Sequence, residues 1–305
     1  MINILCLDGG GVRGYMSARI LAAIEVSLQK PLVNTFTYFS GVSAGSILSF
    51  GLLRGYSAQE VVKMFRELAP NIFYSPLAYR LKSGGGLFDS IYPDTYIEAE
   101  LSRVFGTWSA PEVPRDFLVT SYDITRNTPL YFSRNTTSLS VAEIVRSSTA
   151  APVYFPPKKL IIDGVEILAV DGGVVNNNPC EIALVHALHQ YGSDSTFNIL
   201  SVGTGMYDGK GVFKKPPSGL ISWSTNIIDT MFNANTANSM ESTRLLKDSL
   251  LRRIRGVERF DRIEWSLDQD IRLDDATSFD VMDRIIDGWL AQNQAVIDEI
   301  ASYYK

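Results

Sequence analysis

The sequence predicts an α/β protein in which helices cover both faces of a mostly parallel central sheet. Three observations support this prediction. Apolar runs of strand length alternate with segments of helical periodicity, the joints between them are short, and glycine-rich turns stand where strands meet helices. Such alternation implies right-handed crossovers between parallel neighbours. We therefore expect three layers, α/β/α, with the sheet in the middle.

The start of the chain carries the clearest β-α-β-α alternation. Ile2–Leu7 is apolar except for Asn3, which is typical of a central strand buried on both faces. Apolar residues then recur at helical spacing over Gly14–Leu28. Thr35–Phe39 predicts a second strand, and Ser43–Arg54 predicts a second helix.

Capping and turn signals predict the elements that follow. Ser57 with Glu60 predicts a capping box that opens a helix to about Leu68. A looser stretch, Pro70–Gly86, comes next, and further on Asp163-Gly164 between two apolar runs predicts a hairpin. The other predicted helices are Asp94–Val104, Val141–Ser147 and Pro179–Tyr191, and the other predicted strands are Phe117–Ser121, Leu130–Phe132 and Phe197–Val202.

The last third of the chain predicts mostly helices, over about Ile221–Arg253, Ser278–Trp289 and Ala291–Tyr303. The sequence contains no repeat or clear linker. We therefore expect a single domain, residues 1–305, with an α/β core over about 1–210 and a helical portion over about 211–305. The helical portion follows the sheet in the chain and is a candidate cover for the site.

Composition restricts the classes of function. With 28 basic and 33 acidic residues the net charge is −5, which argues against a protein that binds nucleic acid through phosphate contacts. Cys6 and Cys180 are too few for a disulfide scaffold and lack metal-ligand spacing, so no metal or cofactor is predicted. Without a signal-peptide pattern or an apolar stretch of ~20 residues, we expect a soluble cytoplasmic protein whose membrane contacts are peripheral. Oligomeric state stays open.

Gly41–Gly45 has the pattern G-x-S-x-G, with Ser43 at its centre. Because a predicted strand precedes it and a predicted helix follows, the serine would sit on a sharp turn that exposes its hydroxyl. The partial positive charge at the helix N-terminus favours a developing anion there. Ser43 is therefore the predicted nucleophile.

Asp8–Gly14 contains three consecutive glycines directly after the first predicted strand. Their backbone N–H groups can converge on an anion, so Gly9, Gly10 and Gly11 are predicted to form an oxyanion hole. The spacing does not fit a dinucleotide-binding or phosphate-binding loop, and a plain tight turn is the remaining alternative. Arg13 either holds this loop or approaches an anionic head group.

Asp171 follows an apolar run and precedes two glycines, which predicts an acidic group at the end of a sheet strand. An aspartate in a desolvated site can accept the proton of Ser43 as a general base. The alternative is an acidic turn residue. His186 and His189 could in principle complete a triad, but both fall inside a predicted helix, away from the strand end.

These segments resemble the patatin-like phospholipase family. The resemblance covers roughly residues 1–210: a glycine-rich motif at Asp8–Gly14, a nucleophile turn at Gly41–Gly45 and an Asp-Gly-Gly motif at Asp171–Gly173. It extends to three further segments: Arg146–Pro152, Phe155–Pro157 and Ser201–Gly205.

The resemblance implies a calcium-independent lipid acyl hydrolase of the phospholipase A or lysophospholipase type. Ser43 would be the nucleophile, Asp171 the general base, and Gly9, Gly10 and Gly11 the oxyanion hole. Its partner would be lipid at a membrane or micelle surface. Two alternatives stay open: a phospholipase effector of antiphage defence activated by a cyclic nucleotide, and a non-catalytic lipid-binding protein.

Seven apolar and aromatic residues outside the motifs are candidates for an acyl channel or a lid, with ordinary core packing as the alternative. They are Phe73, Tyr74, Phe88, Trp223, Met231, Phe232 and Met240. The segment from Met231 to Met240 is the candidate lid helix because it follows the predicted sheet.

Overall fold

A computed structural model describes residues 1–135, 137–207, 227–253 and 256–305. Within them a central sheet lies between two layers of helices, which confirms the predicted three-layer α/β/α architecture. The strands are β1 (Ile2–Leu7), β2 (Tyr38–Gly41), β3 (Asp116–Asp123), β4 (Thr128–Ser133), β5 (Lys158–Ile162), β6 (Val165–Asp171), β7 (Phe197–Val202), β8 (Met206–Tyr207), β9 (Val257–Ile263) and β10 (Ser266–Leu267). The helices are α1 (Gly14–Leu28), α2 (Leu32–Thr35), α3 (Ala44–Leu53), α4 (Ala58–Ile72), α5 (Leu77–Ser83), α6 (Asp94–Phe105), α7 (Val141–Ser148), α8 (Gly173–Asn176), α9 (Cys180–Tyr191), α10 (Ile227–Arg253) and α11 (Phe279–Tyr304).

The main sheet has the strand order β5-β6-β3-β2-β1-β7-β9, and β4 also pairs with β3. The strands from β3 across to β9 are parallel, whereas β4, β5 and β6 join by antiparallel pairing. The short strands β8 and β10 form a separate pair. The sheet is therefore mostly parallel, as predicted, with an antiparallel extension on one side.

The two faces of the sheet support different helices. Leu5 and Leu7 of β1 belong to the larger core, which includes buried residues of α1, α3, α4 and α11. Ile4 and Cys6, which alternate with them, face the smaller core with the buried residues of α9. Side chains alternate between faces along a strand, so β1 is buried on both sides.

The first correction concerns the second strand. Thr35 lies in α2, where the Phe36 N–H bonds to the Leu32 carbonyl at 3.0 Å, and β2 begins only at Tyr38. Thr35 therefore belongs to a helical turn, although its β propensity favours a strand. The stretch predicted to be loose also contains α5.

The second correction concerns the C-terminal third. β9 adds a parallel strand to the edge of the sheet beside β7, between the predicted helices, in a part of the chain that was predicted to be mostly helical. Because charged residues occur at every other position or closer, the sequence of β9 lacks the apolar run that predicts a strand. The two last predicted helices form one helix, α11, with non-helical backbone angles at Asn293. The residues 221–226 of the predicted helix lie outside the described ranges.

β9 contributes a buried ion pair beneath the glycine segment. The guanidinium of Arg262 donates to both carboxylate oxygens of Asp8, at 2.9 and 2.7 Å, and to the hydroxyl of Ser201 at 2.6 Å. Glu264 also contacts Arg262. Burial raises the pKa of Asp8 to about 6, and Arg262 opposes that shift. The start of the glycine segment is therefore anchored to a strand from the far end of the chain.

Removing Arg262 would leave the Asp8 carboxylate buried without its cation. We expect Arg262→Met to lower the free energy of unfolding by about 3–5 kcal/mol, measured by urea denaturation at neutral pH. Asp8→Asn added to this variant should recover part of the loss.

Arg259→Met is the matched control on the same strand, because Arg259 pairs with Asp261 and the more exposed Glu299. We expect it to cost less than about 1 kcal/mol. Equal losses in the two arginine variants would contradict a special role for the buried pair.

Candidate active site

Ser43 occupies a strained turn between β2 and α3. Its φ of 53° and ψ of −122° are unusual for a residue with a side chain, and such backbone strain concentrates at functional sites. The Ser43 N–H donates to the hydroxyl of Ser148 at 2.9 Å, and the Ser46 hydroxyl donates to the Ser43 carbonyl at 2.6 Å. These contacts hold the turn in place.

The flanking glycines are required by close approaches of backbone. A Cβ on Gly45 would lie 2.1 Å from the Leu7 carbonyl oxygen, and one on Gly41 would lie 2.3 Å from the Gly45 carbonyl oxygen. Real Cβ atoms do not approach so closely, so Gly45 allows α3 to pack this tightly against β1, and Gly41 allows the end of β2 to pack against α3.

Asp171 reaches Ser43 because β2 and β6 share one edge of β3. β4 occupies the other edge, while Gly41 at the end of β2 pairs with Val119 and Asp171 at the end of β6 pairs with Ser121. The two strands run in opposite directions, so their carboxyl ends face each other. Asp171 therefore lies at a strand end, as predicted, but on an antiparallel strand.

The two side chains meet directly. The Ser43 hydroxyl donates to Oδ2 of Asp171 at 2.7 Å, and the Gly173 N–H donates to Oδ1 at 2.7 Å. Burial of the carboxylate raises the pKa of Asp171 to about 7, although both hydrogen bonds pull the pKa down. A carboxylate with this pKa can gain and lose a proton near neutral pH.

The glycine segment lies against the same turn. A Cβ on Gly9 would approach Cβ of Ser43 to 3.2 Å, and Gly11 has a φ of +55°, in the left-handed region that favours glycine. Within the described residues, the N–H groups of Gly10 and Gly11 have no hydrogen-bond acceptor. The Gly9 N–H, in contrast, donates to the Asn177 carbonyl at 3.1 Å. Gly9 thus shapes the wall of the site, and two of the three predicted donors remain unpaired.

Two side chains orient the peptide between Gly9 and Gly10. The Gly9 carbonyl accepts from the Thr204 hydroxyl at 3.1 Å and from Nδ2 of Asn177 at 3.3 Å. Because a trans peptide points its C=O and the next N–H in opposite directions, these bonds direct the Gly10 N–H away from Thr204 and Asn177.

Four residues near the site had no predicted role. Ser148 and Thr204 fall in segments that carried the family resemblance, and Asn177 follows Asp171 closely, so their positions were a usable signal. Arg262 gave no such signal because its strand was not recognised.

The histidines lie elsewhere. His186 and His189 are on α9, whose buried side pairs with the sheet face opposite α3, and the ring of His186 packs against Tyr131. Among the described residues, neither imidazole bonds to Ser43. Arg13 is half-buried beside the site, and its backbone N–H bonds to the Gly10 carbonyl at 3.0 Å.

An apolar cavity of about 60 Å³ opens beside Ser43. Its walls come from α3, α4 and the segment after α7, and from Phe232 of α10. Of the residues predicted to line a channel, Phe73 and Phe232 do so, whereas Tyr74, Met231 and Met240 do not. Phe88 lines a second cavity, and Trp223 lies outside the described residues.

The helix α10 is fastened beside the site by polar contacts. The Asn235 side chain donates to the carbonyls of Gly173 and Val174 at 3.0 and 3.1 Å, and Thr236 accepts from Asn177 at 3.0 Å. The predicted cover from the C-terminal part of the chain is therefore in contact with the residues that follow Asp171.

A family model described as patatin-like phospholipase matches residues 5–184, more than half of the chain. The chain belongs to the patatin-like phospholipase family. Membership confirms the resemblance drawn from the motifs and supports a lipid hydrolase in general.

Three curated plant proteins are similar to this chain. The chain is 28% identical over 279 residues to patatin-like protein 1 of Arabidopsis thaliana, covering 75% of this chain and 67% of the relative. It is 27% identical over 206 residues to patatin-like protein 4 of the same plant, covering 60% and 51%. For patatin-2-Kuras 1 of Solanum tuberosum the identity is 27% over 242 residues, covering 67% and 63%. The matches thus span from half to two thirds of the length of these relatives.

Two solved structures are similar to the chain. VipD from Legionella pneumophila matches with a TM-score of 0.44 and 15% identity, covering 94% of this chain and 67% of VipD. Human GIVD cytosolic phospholipase A2 matches with a TM-score of 0.42 and 11% identity, covering 77% and 48%.

Two features are absent from the described residues. No helix among them has the length and apolar character needed to cross a bilayer. No group of three or more His, Cys, Asp or Glu side chains among them is arranged to hold a metal ion.

Proposed function

We propose that this patatin-like chain is a serine acyl hydrolase that cleaves carboxylic ester bonds of lipids through Ser43 and Asp171. The observation that carries the proposal is the 2.7 Å hydrogen bond from the Ser43 hydroxyl to a buried carboxylate. A family of lipid hydrolases, an apolar cavity beside the serine and two unpaired backbone N–H groups support the same assignment.

The first half of the reaction forms an acyl-enzyme. Asp171 accepts the proton of Ser43 as Oγ bonds to the ester carbonyl carbon, and the carbonyl oxygen becomes an oxyanion. When the tetrahedral intermediate collapses, the bond to the alcohol oxygen breaks and the proton on Asp171 passes to that alcohol. In the second half, water gives a proton to Asp171 and its oxygen attacks the acyl carbon, which releases the fatty acid and returns the proton to Ser43.

The oxyanion is stabilised by Gly10 and Gly11 in this proposal. Their N–H groups are the unpaired donors of the glycine segment, and preorganised donors need no rearrangement as charge develops. The N-terminus of α3 directly follows Ser43 and adds partial positive charge. We propose that Thr204 and Asn177 are positioning residues because they orient the Gly9–Gly10 peptide.

The cavity restricts how substrate enters. Its volume of about 60 Å³ is less than half of the roughly 150 Å³ of an engineered cavity that binds benzene. The acyl end of a short ester fits as the walls stand, whereas a long acyl chain requires wall residues such as Phe232 to move. We propose that the α/β core and the helices α10 and α11 act together as one hydrolase domain.

The dyad is tested by Ser43→Ala and Asp171→Asn. We expect both to abolish hydrolysis of p-nitrophenyl butyrate and of phospholipid in mixed vesicles, with products followed by mass spectrometry. Ser43→Ala should also lose covalent labelling by a fluorophosphonate. Unchanged thermal unfolding of both variants serves as the control for folding. Hydrolysis by Asp171→Asn at the wild-type rate would require another base, and an inactive wild-type protein would favour non-catalytic lipid binding.

The pH dependence of kcat/KM should have its acidic limb near the pKa of Asp171, about 7. The base must be ionised to accept a proton, so protonation as the pH falls through that value removes activity, about tenfold per pH unit at the low end. The rate at which a fluorophosphonate labels Ser43 should fall over the same pH range as kcat/KM. A profile that stays flat between pH 5 and pH 8 would rule out a base with this pKa.

Thr204→Val tests the orientation of the oxyanion hole. The substitution keeps the shape of the side chain but removes one of the two hydrogen bonds to the Gly9 carbonyl. We expect kcat to fall about three- to tenfold with little change in KM, because the interaction matters most when charge develops. Thr35→Val is the matched control: Thr35 is buried on α2, and no group within the described residues bonds to its hydroxyl. A change confined to KM, or an equal loss in the control, would contradict the assignment.

A further inference from the structure

Helix α5 and the loop after it present an apolar surface to solvent. Four side chains form it: Leu77, Leu81, Leu87 and Phe88, with exposed fractions of 71%, 75%, 77% and 80%. We call these four residues the apolar ridge. Contiguous exposed apolar side chains of this size mark interaction sites more often than isolated ones do.

The orientation of α5 is the reverse of an ordinary surface helix. Leu77 and Leu81 are one turn apart and face solvent, whereas Ser83 is buried and Tyr79 is half-buried with its hydroxyl 2.9 Å from that of Ser90. At about 100° per residue, the two polar residues lie on the side opposite the leucines. Surface helices normally turn the apolar stripe toward the core.

The loop brings the other two ridge residues back onto the end of α5. Gly84 closes the helix in the left-handed conformation, and the Phe88 N–H bonds to the Ser83 carbonyl at 2.9 Å. A Cβ on Gly84 would lie 2.7 Å from the Phe88 ring and 3.4 Å from Cβ of Leu87. Because Gly84 has no side chain, Leu87 and Phe88 can pack over the end of the helix.

Two cations flank the leucines. Arg80 and Lys82 are exposed on α5, on opposite sides of the leucine stripe, and the described residues offer neither of them an ion-pair partner. Asp89 is the acidic residue of the adjoining loop. Apolar side chains between cations match the boundary of a bilayer, where acyl chains lie below anionic phosphates.

The ridge adjoins the cavity beside Ser43. Ile91 and Tyr92, which follow the ridge, bond through their N–H groups to the carbonyls of Val153 and Tyr154, both at 2.9 Å. Tyr154 lines the cavity beside Ser43. Phe155 lines both that cavity and the second one, of about 530 Å³, which Phe88 also lines. A lipid that leaves a bilayer at the ridge therefore meets apolar side chains on the way to the site.

We propose that the apolar ridge, with Arg80 and Lys82, docks this protein on an anionic phospholipid surface and positions the cavity beside Ser43 at that surface. The proposal rests on the proposed function for its choice of partner. Docking itself requires no catalysis, so the two can be tested separately.

The binding test uses Ser43→Ala as the parent, so that vesicles stay intact during the assay. Cosedimentation is measured with vesicles of phosphatidylcholine alone and of equimolar phosphatidylcholine and phosphatidylglycerol. Leu77→Gln with Leu81→Gln should weaken binding to both vesicles at least tenfold, since insertion scales with buried apolar area. Arg80→Gln with Lys82→Gln should weaken binding to the anionic vesicles alone, by about fivefold for each cation removed.

Val26→Gln is the matched control, because Val26 is an exposed apolar residue of α1, with 78% exposure, that lies outside the ridge. It should bind vesicles as the parent does. We call the protein with Leu77→Gln and Leu81→Gln the ridge variant. When it keeps Ser43, it should hydrolyse soluble p-nitrophenyl butyrate at the wild-type rate and vesicle phospholipid at a reduced rate. That pattern separates loss of docking from failure of the proposed chemistry, which would remove both activities in every variant.

Several outcomes would overturn the proposal. One is a parent protein that does not sediment with either vesicle, and another is equal binding by the ridge variant and the parent. A third is a dimer in solution that becomes monomeric in the ridge variant, because the ridge would then be a contact between two copies of this chain.

Discussion

The site depends on one constraint, the meeting of two strand ends at a shared edge of β3. β2 ends opposite Val119 and β6 ends opposite Ser121, from opposite directions. Ser43, which follows the end of β2, and Asp171, the last residue of β6, are therefore forced together. The hydroxyl of Ser43 and the carboxylate of Asp171 then lie in hydrogen-bonding contact although 128 positions separate them in the chain. Because β6 runs antiparallel to β2 along the same edge of β3, its carboxyl end points at the turn that holds Ser43. Two parallel strands would instead have carboxyl ends that point in the same direction.

Burial gives that contact its chemical character. Asp171 is fully enclosed, and its pKa rises to about 7 because the charged form loses its hydration. Asp8 is also enclosed, but the guanidinium of Arg262 contacts it directly and offsets part of the same effect. The two buried carboxylates therefore have different environments: Asp8 is paired with a cation and anchors backbone, whereas the partners of Asp171 among the described residues are a hydroxyl and an N–H group. In the proposed mechanism this difference separates the anchoring acid from the catalytic base.

The glycine segment connects these two acids. It begins at Asp8, whose carboxylate is held by Arg262, and passes Ser43 at Gly9. Thr204 and Asn177, from two other parts of the chain, bond to the Gly9 carbonyl and determine the direction of the peptide between Gly9 and Gly10. The same segment leaves two N–H groups unpaired where the proposed reaction develops negative charge. The apolar ridge, in contrast, is exposed to solvent. The segment that follows it is hydrogen-bonded to Tyr154, which lines the cavity beside Ser43.

The sequence by itself determined the fold class, most helix and strand boundaries of the first 202 residues, and the residues from which the family could be identified. Local physics decides these features: side-chain periodicity, capping boxes at Ser57 and turn residues such as Asp163 act over a few positions. The family membership then followed from motifs that are contiguous in the chain.

Only the tertiary structure decided which groups share a site and what they contact. β9 was not recognisable because its charged residues hide a strand that the sheet edge stabilises, so the Asp8–Arg262 pair could not be foreseen. The bond of the Gly9 N–H to Asn177, the antiparallel direction of β6 and the outward leucines of α5 were equally hidden. The reason is the same in each case: these contacts join residues far apart in sequence, and their partners are chosen by packing, which no local pattern records.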